Sequence, residues 1–185
     1  MVERKYLAHY IDAAFDMTYE STDYKILGKD LEEYSEELNP DVEVSKNILG
    51  EQSVRHSGYE VQADVDPFYY ESEDDSLSKK IMDIAQTRAT GDQCKTSMVD
   101  VLLKPSASGG EPTVVWAYRE DVFVIPNSVG GDTSGIQTPF TVYKSGNRVK
   151  GTFDIDTKKF TATKAMSLDG GVRVASTKSK SSLTD

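Results

Sequence analysis

The residue types that most often carry chemistry are scarce in this chain: two histidines, His9 and His56, one cysteine, Cys94, and one tryptophan, Trp116. A single cysteine excludes an internal disulfide and any zinc cluster built on several cysteines. Each histidine falls in its own strand-like segment, and neither has a second ligand type at metal-binding spacing, so both read as packing or hydrogen-bonding residues. Cys94 with a distant histidine could form a nucleophile pair, but no local signature accompanies it and a lone cysteine is usually inert. The run Gly130-Gly131-Asp132-Thr133-Ser134-Gly135 invites comparison with phosphate-binding loops. It lacks the lysine and the following helix that a P-loop needs, because Ile136 onward reads as strand; a surface turn is expected. Asp64, Asp66, Glu71, Glu73, Asp74 and Asp75 could gather oxygens around calcium, yet no EF-hand pattern with its glycine and terminal glutamate is present, and a solvated loop is the expectation. Carboxylates paired for glycoside hydrolysis need separations that a sequence cannot show, and one tryptophan is a thin platform for a sugar. The expectation is therefore no catalytic residue, no cofactor, no metal and no enzymatic activity.

The acid itself is the more informative feature. Residues 1–75 carry 20 Asp/Glu against 6 Lys/Arg, net −14, whereas residues 76–185 carry 11 against 15, net +4. A disordered acidic tail would lack the aromatic and β-branched residues that Tyr6, Tyr10, Phe15, Tyr24, Tyr34, Val42, Val44, Val54, Val61 and Val65 supply. The charge therefore belongs to a folded surface, and a surface of one sign disfavours direct DNA binding. The 185 residues suit one domain with its own core. No apolar run resembling a signal peptide follows the first residues, and stretches such as Val114 to Tyr118 are far too short to span a bilayer, so a soluble protein made in a cytosol is expected, with no membrane insertion.

These residues must be positioned by a mainly β framework. Residues 4–12 read as a first strand and Tyr24 to Leu27 as a second, stopped by Gly28. Leu31 to Leu49 is ambiguous. Leu31, Tyr34 and Leu38 have helical spacing, but a helix would set Glu32 against Glu36 and Glu33 against Glu37. The preferred reading is a long exposed hairpin over Gly28 to Gly50 with its tip at Asn39-Pro40-Asp41. Ser53 to Asp66 alternates as a strand with an irregularity near Gly58, ended by Pro67. One helix follows, capped by Asp74, Asp75 or Ser76, with Leu77, Ile81, Ile84, Ala85 and Arg88 at helical spacing and Gly91 as its stop. Strands return over Thr96–Leu103, Thr113–Ile125, Ile136–Lys144, Arg148–Ile155 and Lys159–Lys164, the last three as a meander. Residues 165–185, rich in Ser, Thr, Lys and Gly, read as a flexible tail or an arm ordered by a partner, leaving residues 1–164 as the domain. The fold class expected is a β-sandwich or partly closed barrel with one flanking α-helix and a long protruding hairpin.

Several stretches carry a family likeness: ERKYLAHYIDAAF (3–15), YKILGKDLEEYSEELNPDVEVSKNILG (24–50), SGYEVQADV (57–65) and AYREDVFVIPNSVGGDTSGIQTPFTVYKSGNRVKG (117–151). Taken in order, they resemble the major tail tube proteins of long-tailed bacteriophages and related prophages, over most of residues 3–160. The resemblance implies a virion structural protein: a β-sandwich with a flanking helix whose copies form hexameric rings that stack into the tail tube through which DNA is ejected. If six copies gave about four strands each, a barrel of about 24 strands at roughly 4.8 Å spacing and about 40° tilt would be ~48 Å across its backbone. An acidic lining would let DNA pass without specific binding, since cationic contacts supply affinity for nucleic acid. The implied partners are further copies of the chain, together with tape-measure, tail-terminator, baseplate and, in contractile tails, sheath proteins; the implied location is the virion tail, after synthesis in the host cytoplasm.

The acids of the expected hairpin, Glu32, Glu33, Glu36, Glu37, Asp41 and Glu43, are the candidates for facing the lumen or for lying between stacked rings. A second reading is a monomeric β-sandwich binding module, an adhesin or carbohydrate-binding domain, with Phe68, Tyr69 and Tyr70 as an exposed aromatic platform.

Overall fold

The computed structural model describes residues 2–106 and 109–163. The expected tail over 165–185 lies outside the described residues. Within them the chain is mainly β with one helix, a curled, half-barrel sheet flanked by α1, as the alternation of the sequence implies.

The centre of the sheet is formed by β1 (Leu7–Asp12), β6 (Lys95–Lys104) and β7 (Thr113–Pro126), with β2 (Tyr24–Leu27) on the outer side of β1. All neighbours are antiparallel; His9 pairs with Asp100 and Tyr10 with Val99. β1 and β6 are buried on both faces, which explains why neither alternates cleanly in sequence. Beyond β7 the sheet forks. The first half of β7 pairs with β11 (Val149–Asp154), and the second half with β10 (Phe140–Lys144). β12 (Lys159–Ala162) extends the first branch and β5 (Gln62–Val65) the second.

Each branch supplies one core. On one face Ala63, Val65, Phe140 and Val142 of the β5–β10 branch meet Ile11, Met98, Val122 and Val124 beneath the helix residues Leu77 and Ile81. On the opposite face Phe153 and Phe160 of the β11–β12 branch cover Tyr10, Tyr24, Val99 and Val101, with Phe153 edge-on to Tyr24. Gly151 permits this second closure, since a Cβ there would collide with the Phe160 ring and the Thr161 carbonyl.

α1 (Ser76–Thr87) begins at Asp75, whose carboxylate accepts from the Ser78 amide at 2.8 Å. This is the expected N-terminal cap. Its end differs from the expectation. Arg88, at φ 51°, takes the left-handed position, and the Arg88 and Ala89 amides bond back to Ala85 and Ile84; the helix has stopped three residues before Gly91.

The main correction concerns the hairpin. It runs over β3 (Pro40–Lys46) and β4 (Gln52–Tyr59), so Asn39-Pro40-Asp41 lies at its root and its tip is Asn47–Glu51. The Asn47 side chain builds that tip by accepting from the Leu49 and Glu51 amides. Pro40, with no N–H to give a ladder, opens a strand rather than turning one. The irregularity near Gly58 is present: the register shifts between Asp41 and Val42, opposite Gly58 and His56. Residues 28–38 form neither a helix nor a strand of the hairpin; they run as an irregular segment, pinned by the buried Tyr34, that joins the hairpin root through the Glu37–Gln62 bridge.

Smaller differences have local causes. Residues 4–6 form a 3-10 turn before β1. The strand expected over Ser53–Asp66 breaks at Glu60-Val61, where the chain leaves the hairpin for the sheet. Ile136–Lys144 divides at Thr138-Pro139 into β9 (Gly135–Gln137) and β10. The glycine run is the turn of a small hairpin between β8 (Gly130–Asp132) and β9, as a surface turn requires. The three-strand meander is also not formed: β10 and β11 both line β7 instead of pairing with each other.

Candidate functional site

Two features stand out: the exposed hairpin, and a buried group of charges beneath its root. The hairpin pairs only within itself among the described strands, and every residue of β3 and β4 is exposed except the half-buried Gly58. Its register puts Val44 opposite Val54 and Val42 opposite His56, so three exposed valines gather on one face, with Lys46 and Gln52 on that face toward the tip. Ile48 at the tip is fully exposed and Leu49 nearly so. On the other face Glu43 lies opposite Arg55. Exposed apolar side chains gathered on one element, rather than scattered singly, mark an interaction surface.

The charges are carried by strands that converge beside the first core. His9 on β1 and Asp100 on β6 are cross-strand partners, Glu120 comes from β7 and Lys144 from the end of β10. The Lys144 side chain is 2% exposed and that of Asp100 3%. Its ammonium lies 2.5 Å from Asp100 Oδ2, 2.7 Å from Glu36 Oε1 and 3.9 Å from Glu120 Oε2. Arg148, stacked over the Tyr118 ring, approaches Asp100 at 3.6 Å. His9 Nδ1 is 2.8 Å from Asp100 Oδ1, and its ring lies 4.5 Å from that of Tyr34.

The electrostatics follow from this packing. Burial alone would raise the Asp100 carboxyl, but the His9 hydrogen bond and the Lys144 ammonium outweigh it and hold it down to about 2. With Asp100 ionised, the Nδ1 of His9 carries the proton of their hydrogen bond. Burial opposes charge on Lys144 as well, yet the Asp100 and Glu36 carboxylates hold its ammonium above the ordinary lysine value. Glu120 is pushed up, because burial outweighs Lys144 and the Gly146 amide. Tyr34 is raised by burial and by the charges of Glu36 and Asp100.

Ligand atoms of His9, Glu36 and Asp100 lie within 4.8 Å of one another, a metal-like grouping that sequence spacing does not show. The Lys144 ammonium contacts two of the three and so fills the place a cation would take. Among the described residues, this grouping of His9 is a salt-bridge network rather than a metal centre. His56 sits on the hairpin, edge-on to Tyr59. Cys94 is buried, with its thiol raised by that burial, in keeping with an inert side chain.

The six candidate acids do not form one surface. Glu32 and Glu33 are exposed and border a groove whose lining includes Arg4, Lys5 and Lys29. Glu36 turns inward to Lys144. Glu37 pairs with Gln62 at the hairpin root through both backbone bonds and its side chain. Asp41 and Glu43 lie on β3, within the exposed hairpin. Phe68 is no exposed platform either: it is half-buried and edge-on to Phe140 at 5.0 Å, while the Tyr70 hydroxyl donates to Glu73.

No protein-family model and no curated protein matches the chain. The buried network was missed in sequence because its members are spread from residue 9 to residue 148. Its one visible signal was acid in the interior of apolar strands, Asp100 within Met98–Leu103 and Glu120 within Val114–Ile125, which only a buried partner would tolerate.

Proposed function

We propose that the chain is a virion structural protein, a tail tube subunit whose copies associate into rings, in the family hexameric, and stack into a channel for DNA. The observation that carries this reading is the β3–β4 hairpin. It exposes Val42, Val44, Val54, Ile48 and Leu49 with no covering element among the described residues, which is the character of a surface meant for another chain. A second support is the open sheet: β2 and β12 are edge strands, β5 is covered on its outer edge by Glu37 at Gln62, and edges left open in a monomer find partners in an oligomer. The third is the resemblance of residues 3–160 to tail tube proteins. Contact between rings is heterologous and does not close, so it builds a filament, and an arm projecting from one ring to the next suits it.

The lumen reading is narrowed by side-chain placement. Glu36 serves Lys144 and is not free to line a channel, so the remaining lining candidates are Glu32, Glu33, Glu37, Asp41 and Glu43. Those that face the lumen would let DNA slide without binding. The partners follow from the same reading: copies of the chain, and the tape-measure, terminator, baseplate and sheath proteins of a tail. The binding-module alternative, with Phe68, Tyr69 and Tyr70 as its platform, has less support, since Phe68 is half-buried edge-on against Phe140.

The test is the mass of the protein in solution over a wide concentration range, for the parent and for Val44→Lys. Concentration-dependent growth in the parent that the variant lacks, with both equally folded, supports the reading. A parent that stays monomeric throughout, even when mixed with tail-tip components as initiator, contradicts it.

A further inference from the structure

Both legs of the hairpin pass over one residue. The leg entering β3 carries Glu36, whose carboxylate is 2.7 Å from the Lys144 ammonium. The leg leaving β4 carries Val61, whose carbonyl accepts from the Lys144 backbone amide at 2.9 Å. Between these grips the legs are tied to each other by the reciprocal Glu37 and Gln62 backbone bonds, by the Glu60 amide to Asn39, and by the Asn39 side chain to the Glu60 carbonyl. Beyond the root no described strand pairs with β3 or β4. The hairpin is attached to the domain at its root, and the root is attached to the end of β10.

From this we infer that Lys144 is a lock that sets the direction in which the hairpin projects. Its two grips differ in kind. The amide-to-carbonyl bond continues the β10–β5 pairing, in which Tyr143 lies opposite Gln62, and so fixes the position of one leg. The ammonium-to-Glu36 pair fixes the other, and it is itself aimed by Asp100, which His9 and Arg148 hold in turn. An exposed ion pair could not serve, since it is worth little and is screened by salt; this one keeps its strength because the Lys144 side chain is buried and that of Glu36 mostly so. One leg held and one leg free would leave a hinge. Two legs held make an arm of fixed direction, which reduces the ordering cost of docking.

Glu36→Gln is the informative perturbation. It keeps the side-chain shape, removes the charge, and leaves Lys144 and Arg148 facing Asp100 and Glu120, so no uncompensated buried charge is created. Glu33→Gln, the same change on an exposed neighbour, is the control. Two readouts apply to the full-length monomer. Hydrogen exchange at the Glu37, Glu60, Gln62 and Lys144 amides should quicken by about tenfold in Glu36→Gln, the equivalent of one lost charge-assisted contact, while the central Tyr10 and Val99 amides stay as in the parent. Spin labels at Ile48→Cys and Ile26→Cys in a Cys94→Ser background should give a narrow distance distribution that broadens in Glu36→Gln and not in Glu33→Gln.

Unchanged root exchange with an unchanged distance distribution in Glu36→Gln overturns the lock. So does an equal rise at Tyr10 and Val99, which would be general destabilisation. The lock is a property of the monomer; only its use in ring stacking rests on the tail tube reading. A lock that passes both readouts in a protein that never assembles would leave the lock standing and remove the tube.

Discussion

Replacing Lys144 with methionine tests the buried network more severely than any conservative change. Methionine fills much of the same volume but leaves Asp100, Glu36 and Glu120 around a missing ammonium, with Arg148 and His9 as the remaining partners. Removing one member of a buried ion pair costs about 3–5 kcal/mol, because the charge left behind is not rehydrated. In a domain of this size each kcal/mol moves the melting temperature by roughly 2–4 °C, so a fall of about 6–20 °C is expected. The pH dependence is the sharper signature. In the parent the Asp100 carboxyl is depressed, so its contribution is present above the unfolded value near 3.8 and is lost as pH falls through about 2. The raised Glu120 works oppositely in the parent: its penalty grows as pH rises from 4.5 through its folded value. In Lys144→Met, Asp100 and Glu120 lose the ammonium that favours their charged forms, and the penalty of ionising them grows with pH. The gap between parent and variant should therefore open as pH rises from about 2 to about 4, where the parent gains the Asp100 contribution and the variant does not, and widen further toward pH 7 as the carboxylates left without the ammonium resist ionising. Urea unfolding at half-unit steps from about pH 2 to 7.5 reads it. A gap below about 1 kcal/mol, or one that is constant across that range, would refute the reasoning.

Gly151→Ala should destabilise by about 1–3 kcal/mol in thermal melts, since the new methyl collides with Phe160 and the Thr161 carbonyl and must push β12 from the second core. Asp75→Ala should lose about 1 kcal/mol through the Ser78 amide left without its cap, with urea midpoints as the measure. On the tail tube reading, Val44→Lys paired with Val54→Glu should leave monomer stability within about 1 kcal/mol, because both side chains are exposed and the new charges are of opposite sign across the hairpin, yet abolish self-association read by sedimentation. On the tail tube reading, reversing charge at Glu33 and Glu37 together should weaken ring stacking or DNA passage with the fold intact; unchanged tube assembly and unchanged infectivity would take those two residues out of that reading.

Local punctuation was the part of the fold most open to reading in the sequence. β2 ends at Leu27 because Gly28 takes a φ of 113° that other residues avoid, and α1 starts where Asp75 can cap it. The hairpin was visible as an element and misplaced by half its length. Two turn signals, Asn39-Pro40-Asp41 and Asn47 to Gly50, flank the same alternating run, and only cross-strand pairing with residues 52–59 decides between them. Gly91 looked like the helix stop, but a hydrogen-bonded Arg88 cap ended the helix without glycine. The fork at β7 was illegible for a different reason: one long apolar strand gives no sign that its halves take different neighbours. Of the six acids singled out, Glu36 has the most specific role, and nothing around it in sequence distinguishes it from Glu37. What separates them is Lys144, more than a hundred residues away.

The most direct measurement of the tail tube reading is negative-stain electron microscopy of the purified protein across concentration. Rings or hollow tubes with a lumen wide enough for duplex DNA are the result the account predicts, with the hairpin at the contact between rings. Particles that remain single domains at every concentration, with and without an initiating tail-tip complex, would contradict it.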